Sequence, residues 1–265
     1  MKFYPSTLAA ALLAAFSLGS CQPEEGVVKK EDISPETLNR IHQLGFGTAE
    51  VQKIAEGYLV EGDILLTDQE LKAQHHPTLL RIGKTEQYRT TNLVSGLPRV
   101  IKVSVARTLP AAYVTALNEA IARFNAQGLQ LTFKRVNAGA NISISPSPST
   151  ATYLAVAGFP SQGNPYHSIL VNATFLGTNP GTDFLATILA HEIGHCIGFR
   201  HTDYMDRSYS CGGTVTNEGA STVGAIHIPG TPTVQDPDSW MLACIGAGQS
   251  RPFNDNDKIA LDYLY

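Results

Sequence analysis

Residues 191–201 read HEIGHCIGFRH, and the interpretation of the whole sequence depends on this stretch. His191 and His195 are four residues apart, so on a helix both imidazoles project from the same face, one turn apart. Gly198 can adopt the left-handed conformation that ends a helix, which would let the chain turn back and bring His201 beside the other two. The spacing therefore predicts that three imidazoles converge on one divalent cation, with zinc as the expected metal.

A zinc ion held in this way is expected to catalyse hydrolysis. Three neutral imidazoles leave Zn²⁺ with its full charge and with a fourth position for water, whose pKa falls toward about 7 on the metal. Glu192 follows the first histidine, so its carboxylate can hold that water, take its proton and return it to a leaving amine. We predict His191, His195 and His201 as zinc ligands and Glu192 as the general base and acid. A structural zinc site would not need Glu192 and would be closed by a fourth protein ligand.

This motif resembles the signature of the metzincin zinc peptidases, and its first five letters match the name of the dual-action HEIGH metallopeptidases. Similar sequence continues at residues 201–204, 211–213, 226–230 and 239–242, so the resemblance extends over residues 96–265. It implies an α/β (α+β) catalytic domain with a twisted, mixed five-stranded sheet, a long helix, an active-site helix and a methionine turn under the zinc. It also implies hydrolysis of peptide bonds in protein or peptide substrates.

Two methionines could form the methionine turn that the resemblance implies. Met205 is four residues after His201, too close for the chain to loop out and return, whereas Met241 follows 40 residues after His201 in Ser-Trp-Met-Leu. We therefore expect Met241 in the turn, the alternative being an ordinary core methionine. Some relatives place a metal-binding tyrosine two residues after this methionine. Ala243 occupies that position here, so no tyrosine ligand is expected.

Periodicity predicts the order of the elements in residues 96–265. Strands are predicted at 99–106, 129–136, 141–145, 152–159 and 168–175, and helices at 110–127, 182–197 and after Asn254. Strands alternating with helices are typical of an α/β protein with a mixed sheet. If residues 152–159 form an unpaired edge strand, an extended peptide could bind there by strand addition; otherwise this is an ordinary amphipathic strand.

Residues 32–95 are predicted as a small helical region followed by a connection to the main domain. Ser34-Pro35 is typical of a helix start, and a second short helix is predicted from Thr48 to Gly57. Residues 58–66 are apolar and extended, and Thr67-Asp68-Gln69-Glu70 forms a capping box that opens another turn of helix.

Val60-Glu61-Gly62-Asp63-Ile64 resembles the prosegment motif of astacins, in which an aspartate occupies the open zinc position. A carboxylate oxygen is a competent zinc ligand and would displace the water. Astacins carry an aromatic residue where this chain has Val60. The resemblance implies a propeptide-like region with Asp63 as its inhibitory switch, and the alternative is a Gly-Asp turn in a small hairpin.

The first 20 residues predict a lipoprotein signal peptide. The apolar stretch Leu8–Leu18 is too short to span a bilayer, and Leu18-Gly19-Ser20-Cys21 resembles a bacterial lipobox. That resemblance implies acylation of Cys21, followed by a polar tether at 21–31. The lipid anchor would then be the protein's only contact with a membrane, holding it outside the cytoplasm, on a bacterial outer membrane or cell surface. An ordinary signal peptide would instead give a secreted protein.

The three downstream cysteines are expected to include one disulfide, because the predicted compartment is oxidising. Cys211 and Cys244 lie in glycine-rich loop sequence and are the favoured pair. Cys196 continues a helical apolar pattern and is expected to be buried.

Composition excludes several other classes of protein. The 265 residues are 43% hydrophobic, which argues against wholesale disorder. Nineteen basic and 23 acidic residues give a net charge of −4, and no run of Lys or Arg provides a nucleic-acid-binding surface. Two alternatives remain beside a peptidase: a non-catalytic surface binding lipoprotein with a structural zinc site, and a zinc hydrolase that acts on a non-protein amide.

Overall fold

The computed structural model describes residues 33–44, 46–72, 87–219, 224–232 and 234–265. The predicted signal peptide at 1–20, the tether at 21–31 and the lipidation site at Cys21 lie outside the described residues. Within the described ranges, no helix has the length and apolar character needed to cross a membrane. We call the described residues from 33 to 72 the N-terminal segment and those from 87 to 265 the C-terminal part.

The described chain alternates short strands with helices. The helices are α1 (Pro35–Gln43), α2 (Asp68–Lys72), α3 (Ala111–Asn125), α4 (Ala173–Leu176), α5 (Thr182–Ile197), α6 (Ser208–Cys211) and α7 (Asp255–Leu264). The strands are β1 (Gln52–Ile54), β2 (Gly57–Val60), β3 (Ile64–Leu66), β4 (Tyr88–Arg89), β5 (Arg99–Val105), β6 (Leu131–Arg135), β7 (Ile142–Pro146), β8 (Ala155–Val156), β9 (Ser168–Val171), β10 (Phe199–Arg200) and β11 (Ile226–His227).

A five-stranded sheet in the order β6-β5-β7-β9-β8 forms the centre of the C-terminal part. The pairs β5–β6, β5–β7 and β7–β9 are parallel, whereas β8 is antiparallel to β9 and lies at the edge. Alternate side chains of β5 and β7 enter the core, where Ile101, Val103, Ile142 and Ile144 are buried. The helices α3 and α5 contact each other beside this core. The mixed sheet with two long helices confirms the predicted α/β (α+β) fold.

The N-terminal segment contains a sheet as well as helices. Between α1 and α2, the strands β1, β2 and β3 form an antiparallel sheet. The helix predicted from Thr48 to Gly57 is wrong, because Gln52–Ile54 pair with Gly57–Leu59 instead. Gly57 approaches the next strand so closely that a Cβ there would lie 2.2 Å from the carbonyl oxygen of Leu66. Pairing of β1 with β2 thus decided the conformation of a stretch too short for its periodicity to distinguish helix from strand.

Residues 87–95, which the sequence predicts as part of the connection, are hydrogen-bonded to later residues of the C-terminal part. The strand β4 lies between β10 and β11 in a three-stranded sheet. The amide of Thr90 donates to the carbonyl oxygen of Gly198 at 2.8 Å. Gln87 is fully buried, and its Nε2 donates to Oδ1 of Asp257 at 2.6 Å. These residues therefore belong to the same framework as the histidine motif.

The helix α5 ends at Gly198, in agreement with the prediction from sequence. Gly198 has a φ of 114°, in the left-handed region. A Cβ at this position would lie 2.7 Å from Cδ2 of Leu93 and 2.8 Å from the carbonyl oxygen of Asn92. The turn therefore requires both the backbone freedom of glycine and its lack of a side chain. It directs the chain into β10 and on to His201.

Replacing Gly198 with alanine is expected to destabilise the fold. We expect Gly198→Ala to lower the free energy of unfolding by about 2 kcal/mol or more, since it combines a strained φ with a steric clash. Gly139→Ala is the matched control: Gly139 has a φ of 67°, and a Cβ there would meet no atom of the described chain within 4 Å, so the loss should be about 1 kcal/mol. Urea unfolding monitored by circular dichroism measures both, and equal losses would contradict the close packing around Gly198.

Candidate metal centre

The three histidines of the motif meet at one point. His191 and His195 project from the same face of α5, and His201 follows β10 after the turn. His195 and His201 are fully buried, and His191 is 9% exposed. The Nε2 atom of His195 lies 3.1 Å from Nε2 of His191 and 3.2 Å from Nε2 of His201. The structure thus brings together all three residues that the spacing predicts as ligands.

Main-chain carbonyl groups fix the other ring nitrogen of the two helical histidines. Nδ1 of His191 lies 3.0 Å from the carbonyl oxygen of Trp240, and Nδ1 of His195 lies 2.9 Å from that of Phe199. A carbonyl oxygen can only accept a hydrogen bond, so each Nδ1 carries the proton. In the neutral rings, each Nε2 consequently presents a lone pair to the point of convergence.

The separations between these nitrogen atoms fit a zinc ion. Neutral Nε2 atoms with lone pairs that face each other at 3.1 to 3.2 Å repel each other. A cation between the nitrogen atoms removes this repulsion, because each lone pair then binds the cation. Tetrahedral zinc, with nitrogen ligands at about 2.0–2.1 Å, separates its ligand atoms by about 3.3–3.4 Å. The histidine cluster has nearly this size, and imidazole nitrogen is a preferred ligand of zinc.

Asp63 of the N-terminal segment lies against the same cluster. Its Oδ2 is 3.1 Å from Nε2 of His201 and 3.4 Å from Nε2 of His191. One donor atom from Asp63 and one from each of the three histidines all lie within 4.8 Å of one another. Asp63 Oδ1 is buried and has no hydrogen-bond partner among the described residues. The carboxylate therefore stands where a fourth metal ligand would bind.

The cluster shifts the pKa values of its two carboxyl groups in opposite directions. Burial acts to raise the pKa of Asp63, but His201, His191 and His195 outweigh burial and hold this pKa well below its usual range. Burial and the negative charge of Asp63 raise the pKa of Glu192 well above its usual range. Oε2 of Glu192 is buried without a hydrogen-bond partner in the described chain. Glu192 is therefore a carboxylate of high proton affinity on the helix that carries the histidines.

Glu218, which the sequence does not predict as a site residue, holds the third histidine. It is 1% exposed, and its two carboxylate oxygens lie 2.9 and 3.0 Å from Nδ1 of His201. Burial acts to raise the pKa of Glu218, but His201 and Arg200 outweigh it and lower this pKa below its usual value. An ionised carboxylate behind a ligating imidazole orients the ring and increases its basicity. Glu218 lies 17 residues after His201, in a loop that follows α6, and no periodic pattern or motif marks it.

A buried ion pair also joins the N-terminal segment to this site. Arg200 is fully buried, and its Nη2 lies 2.9 Å from Oε2 of Glu61 and 3.8 Å from Oε2 of Glu218. Glu61 has a φ of 55°, an uncommon conformation for a residue other than glycine. At Gly62, which has a φ of 89°, a Cβ would lie 2.3 Å from Nη2 of Arg207. This tight turn brings two carboxylates of the N-terminal segment, those of Glu61 and Asp63, into the C-terminal part.

The N-terminal segment also pairs with the edge of the five-stranded sheet. Beside β8, the amide of Ala157 donates to the carbonyl oxygen of Asp63 at 3.0 Å, and the amide of Leu65 donates to that of Ala157 at 2.7 Å. Ile64 and Ala157 are aligned in parallel. The edge that the sequence predicts for peptide binding is therefore occupied by residues 63–65 of the same chain.

Met241 packs against the helix that carries the histidines. It is fully buried, and its carbonyl oxygen accepts a hydrogen bond from the amide of Thr202 at 3.0 Å. A Cβ at Gly194 would lie 2.7 Å from Sδ of Met241 and 2.7 Å from Cη2 of Trp240. The glycine of the motif thus allows close contact between α5 and the Trp240-Met241 chain, which also supplies the acceptor for His191.

The structure also locates the three downstream cysteines. Cys211 and Cys244 form a disulfide with an S–S distance of 2.08 Å, which links α6 to the chain just after Met241. Cys196 is buried in α5 and is not part of a disulfide.

Comparisons with known proteins identify the family. The family model described as dual-action HEIGH metallo-peptidase matches residues 58–265. Two solved structures of myroilysin are similar to this chain. One has 14% identity and a TM-score of 0.44 and covers 65% of this chain and 95% of its own. The other has 15% identity and a TM-score of 0.42 and covers 65% of this chain and 86% of its own. No curated protein matches the sequence.

The contact between Glu218 and His201 predicts an effect on metal affinity. Glu218→Ala should weaken zinc binding about 10–100-fold, because the ring of His201 loses its acceptor, and Glu218→Gln should have a smaller effect. Competition with a chromophoric chelator measures the affinity in the full chain. Glu119→Ala, which removes a half-buried carboxylate that pairs with Arg123 on α3, is the control, and zinc affinity that is the same in all four proteins would refute the role of Glu218.

Proposed function

This chain belongs to the dual-action HEIGH metallopeptidase family, and from that premise we propose that it is a zinc-dependent endopeptidase held latent by its N-terminal segment. As a metallopeptidase it is a hydrolase, and proteins or peptides are its substrates. The observation that carries the assignment is the convergence of Nε2 of His191, His195 and His201 on one point, with Glu192 buried on the same helix.

We assign Glu192 the role of general base and acid. Zinc, when bound, supplies positive charge that acidifies a water molecule and polarises the scissile carbonyl group. Glu192 accepts the proton of the attacking water and delivers it to the nitrogen of the leaving amine. Burial is the largest cause of the raised pKa of Glu192, and this higher pKa supports both steps, because a more basic carboxylate takes the proton more readily and still releases it to an amine. The contribution of Asp63 to this pKa is lost when its carboxylate leaves.

We propose that substrates bind by adding a strand beside β8. The amide and carbonyl groups of Ala157 already pair with residues 63–65, which supports this mode because the same two groups can pair with any extended peptide. Main-chain pairing depends little on side chains. Strand addition therefore suits an endopeptidase that accepts varied sequences around the scissile bond.

We propose that residues 32–95 include a latency segment with Asp63 as its inhibitory ligand. The carboxylate of Asp63 lies where a fourth ligand of the cluster would bind. The main chain of residues 63–65 is hydrogen-bonded to Ala157, at the sheet edge where a substrate would add its strand. The ion pair between Glu61 and Arg200 anchors the same turn. The bonds that join residues 87–95 to the rest of the C-terminal part support a latency segment that ends before Gln87.

The alternative to a peptidase is a non-catalytic protein in which zinc has only a structural role. Such a surface binding protein would keep Asp63 as a permanent fourth ligand. Two features favour the enzyme instead. Asp63 comes from the N-terminal segment and not from the C-terminal part that holds the histidines, and a structural ion has no use for Glu192.

We further propose that Cys21 carries a lipid anchor and that the protein acts outside the cytoplasm. The apolar stretch Leu8–Leu18 followed by Leu18-Gly19-Ser20-Cys21 supports the anchor. The disulfide between Cys211 and Cys244 supports an oxidising compartment. A bacterial outer membrane or cell surface is the proposed location, with secretion as the alternative.

Removing the carboxylate of Asp63 should activate the full chain. Because the fourth position then becomes available to water, we expect Asp63→Ala to raise basal cleavage of casein about tenfold or more. Asp68→Ala, an exposed position in the same segment, is the matched control and should leave basal cleavage unchanged. If the Asp63→Ala protein were folded and loaded with zinc but no more active than the control, Asp63 would not be the inhibitory ligand.

Removing the carboxylate of Glu192 should abolish that activity without removing the metal. In the Asp63→Ala background, we expect Glu192→Gln to lower casein cleavage at least about 100-fold, because the proton acceptor is lost. Elemental analysis should still find one zinc per chain, and a chelator should abolish cleavage by the active variant. Cleavage that survives Glu192→Gln, or an active protein free of zinc, would overturn the proposed mechanism.

A further inference from the structure

The apolar core of the N-terminal segment is completed by one ring from the C-terminal part. The buried members of this cluster are Ile41, Leu44, Phe46, Val51, Val60, Ile64, Leu66, Leu71 and Phe159. Phe159 is the member that comes from beyond residue 72, and it is 6% exposed. The N-terminal segment therefore packs its own core around Phe159.

Phe159 lies between the metal centre and Phe46. Its ring centroid is 5.5 Å from that of His195, in an edge-to-face arrangement with an interplanar angle of 84°. Its ring is also stacked with that of Phe46, at 6.0 Å and an interplanar angle of 10°. One aromatic ring of the C-terminal part thus contacts a candidate zinc ligand and, at the same time, a side chain of the latency segment.

The position of Phe159 along the chain places it beside the proposed peptide-binding edge. It follows Ala157, the residue whose amide and carbonyl groups pair with residues 63–65, by two positions. A peptide that replaces residues 63–65 on this edge would pass close to the ring. When the N-terminal segment leaves, Phe159 loses its apolar neighbours in the cluster, and an apolar surface next to the metal opens to solvent.

Arg200, the polar neighbour of this surface, keeps a partner when the N-terminal segment leaves. The ring of Phe46 lies 5.1 Å from Cζ of Arg200, and Glu61 pairs with the same guanidinium. Glu218 remains at 3.8 Å from Arg200 as a counter-charge of the C-terminal part. Arg200 thus retains a counter-charge, whereas the apolar surface around Phe159 loses its packing partners.

We propose that Phe159 forms a specificity subsite for a large apolar or aromatic substrate side chain close to the scissile bond, and that Phe46 occupies this subsite in the latent chain. The proposal rests on the proposed peptidase function and goes beyond it by naming a class of substrate. The apolar side chain of a substrate takes the place of the Phe46 ring against Phe159. Strand addition beside Ala157 then determines where the chain runs, and Phe159 determines which sequences are favoured.

The test uses the full chain after activation by limited trypsin treatment, with the mass of the active product confirmed. A peptide library derived from a denatured proteome gives the cleavage preference, and matched peptides with Phe, Leu or Ala at the preferred position give kcat and KM. We expect large apolar residues to be enriched within three positions of the cleaved bond. Phe159→Ala should lower kcat/KM for the Phe peptide about tenfold, with a much smaller effect on the Ala peptide.

Two further variants keep the result interpretable. Phe175→Ala removes an aromatic ring that is 75% exposed on α4, and it should leave the preference unchanged. Phe159→Leu preserves an apolar side chain in case the alanine variant does not fold, and it should reduce the preference for Phe over Leu. Zinc content and thermal melting establish that each variant is intact.

The possible results distinguish a failure of the subsite proposal from a failure of the proposed peptidase function. An active enzyme without apolar preference near the cleaved bond overturns the subsite and leaves the peptidase standing. The same follows if a folded Phe159→Leu protein keeps the wild-type ratio of Phe to Leu cleavage, or if Phe159→Ala slows the Phe and Ala peptides equally. Failure of both the activated wild type and the Asp63→Ala chain to cleave any library peptide would overturn the peptidase function itself.

Discussion

Three imidazole rings turn their Nε2 atoms to one point, with Nε2 of His195 at 3.1 to 3.2 Å from the other two, and the candidate metal centre depends on a cation that these nitrogen atoms can share. The helix α5 alone supplies two of the rings, but it does not set their protonation. The carbonyl oxygens of Trp240 and Phe199 do so, because each binds the Nδ1 proton and turns the other nitrogen inward. The chain around Met241 and the turn after α5 therefore belong to the candidate metal centre, although neither adds a side chain to the histidine cluster.

The N-terminal segment places negative charge at the point where the site would hold a cation. A pocket built to hold a cation attracts carboxylates, and the turn at Glu61-Gly62 delivers two of them, one to the histidines and one to Arg200. The strained φ of Glu61 is tolerated because both ends of the turn are held, by the edge of the sheet on one side and by the ion pair on the other. Residues 61–65 are thus held in place by ion pairs, by main-chain hydrogen bonds and by apolar packing.

The sequence predicted the structure best where a feature depends on residues close together in the chain. The four-residue spacing of His191 and His195 and the glycine at 198 encode a local geometry, so the convergence of the three histidines and the end of α5 could be predicted. Strand β1 could not, because its conformation depends on pairing with β2, which in turn pairs with β3. Glu218 was also missed, because it reaches His201 from an irregular loop through a contact that no spacing rule describes.

The burial of Gln87 has a consequence for the fate of a cleaved chain. Its side-chain amide is bonded to Asp257 at the start of α7, and to Ser239 next to the Trp240-Met241 chain. Exopeptidases that shorten a newly exposed amino terminus need several free residues to thread into their own active sites. If the chain is cut within the N-terminal segment, as proposed, trimming from the new end would therefore stall a few residues before Gln87, whichever protease made the first cut.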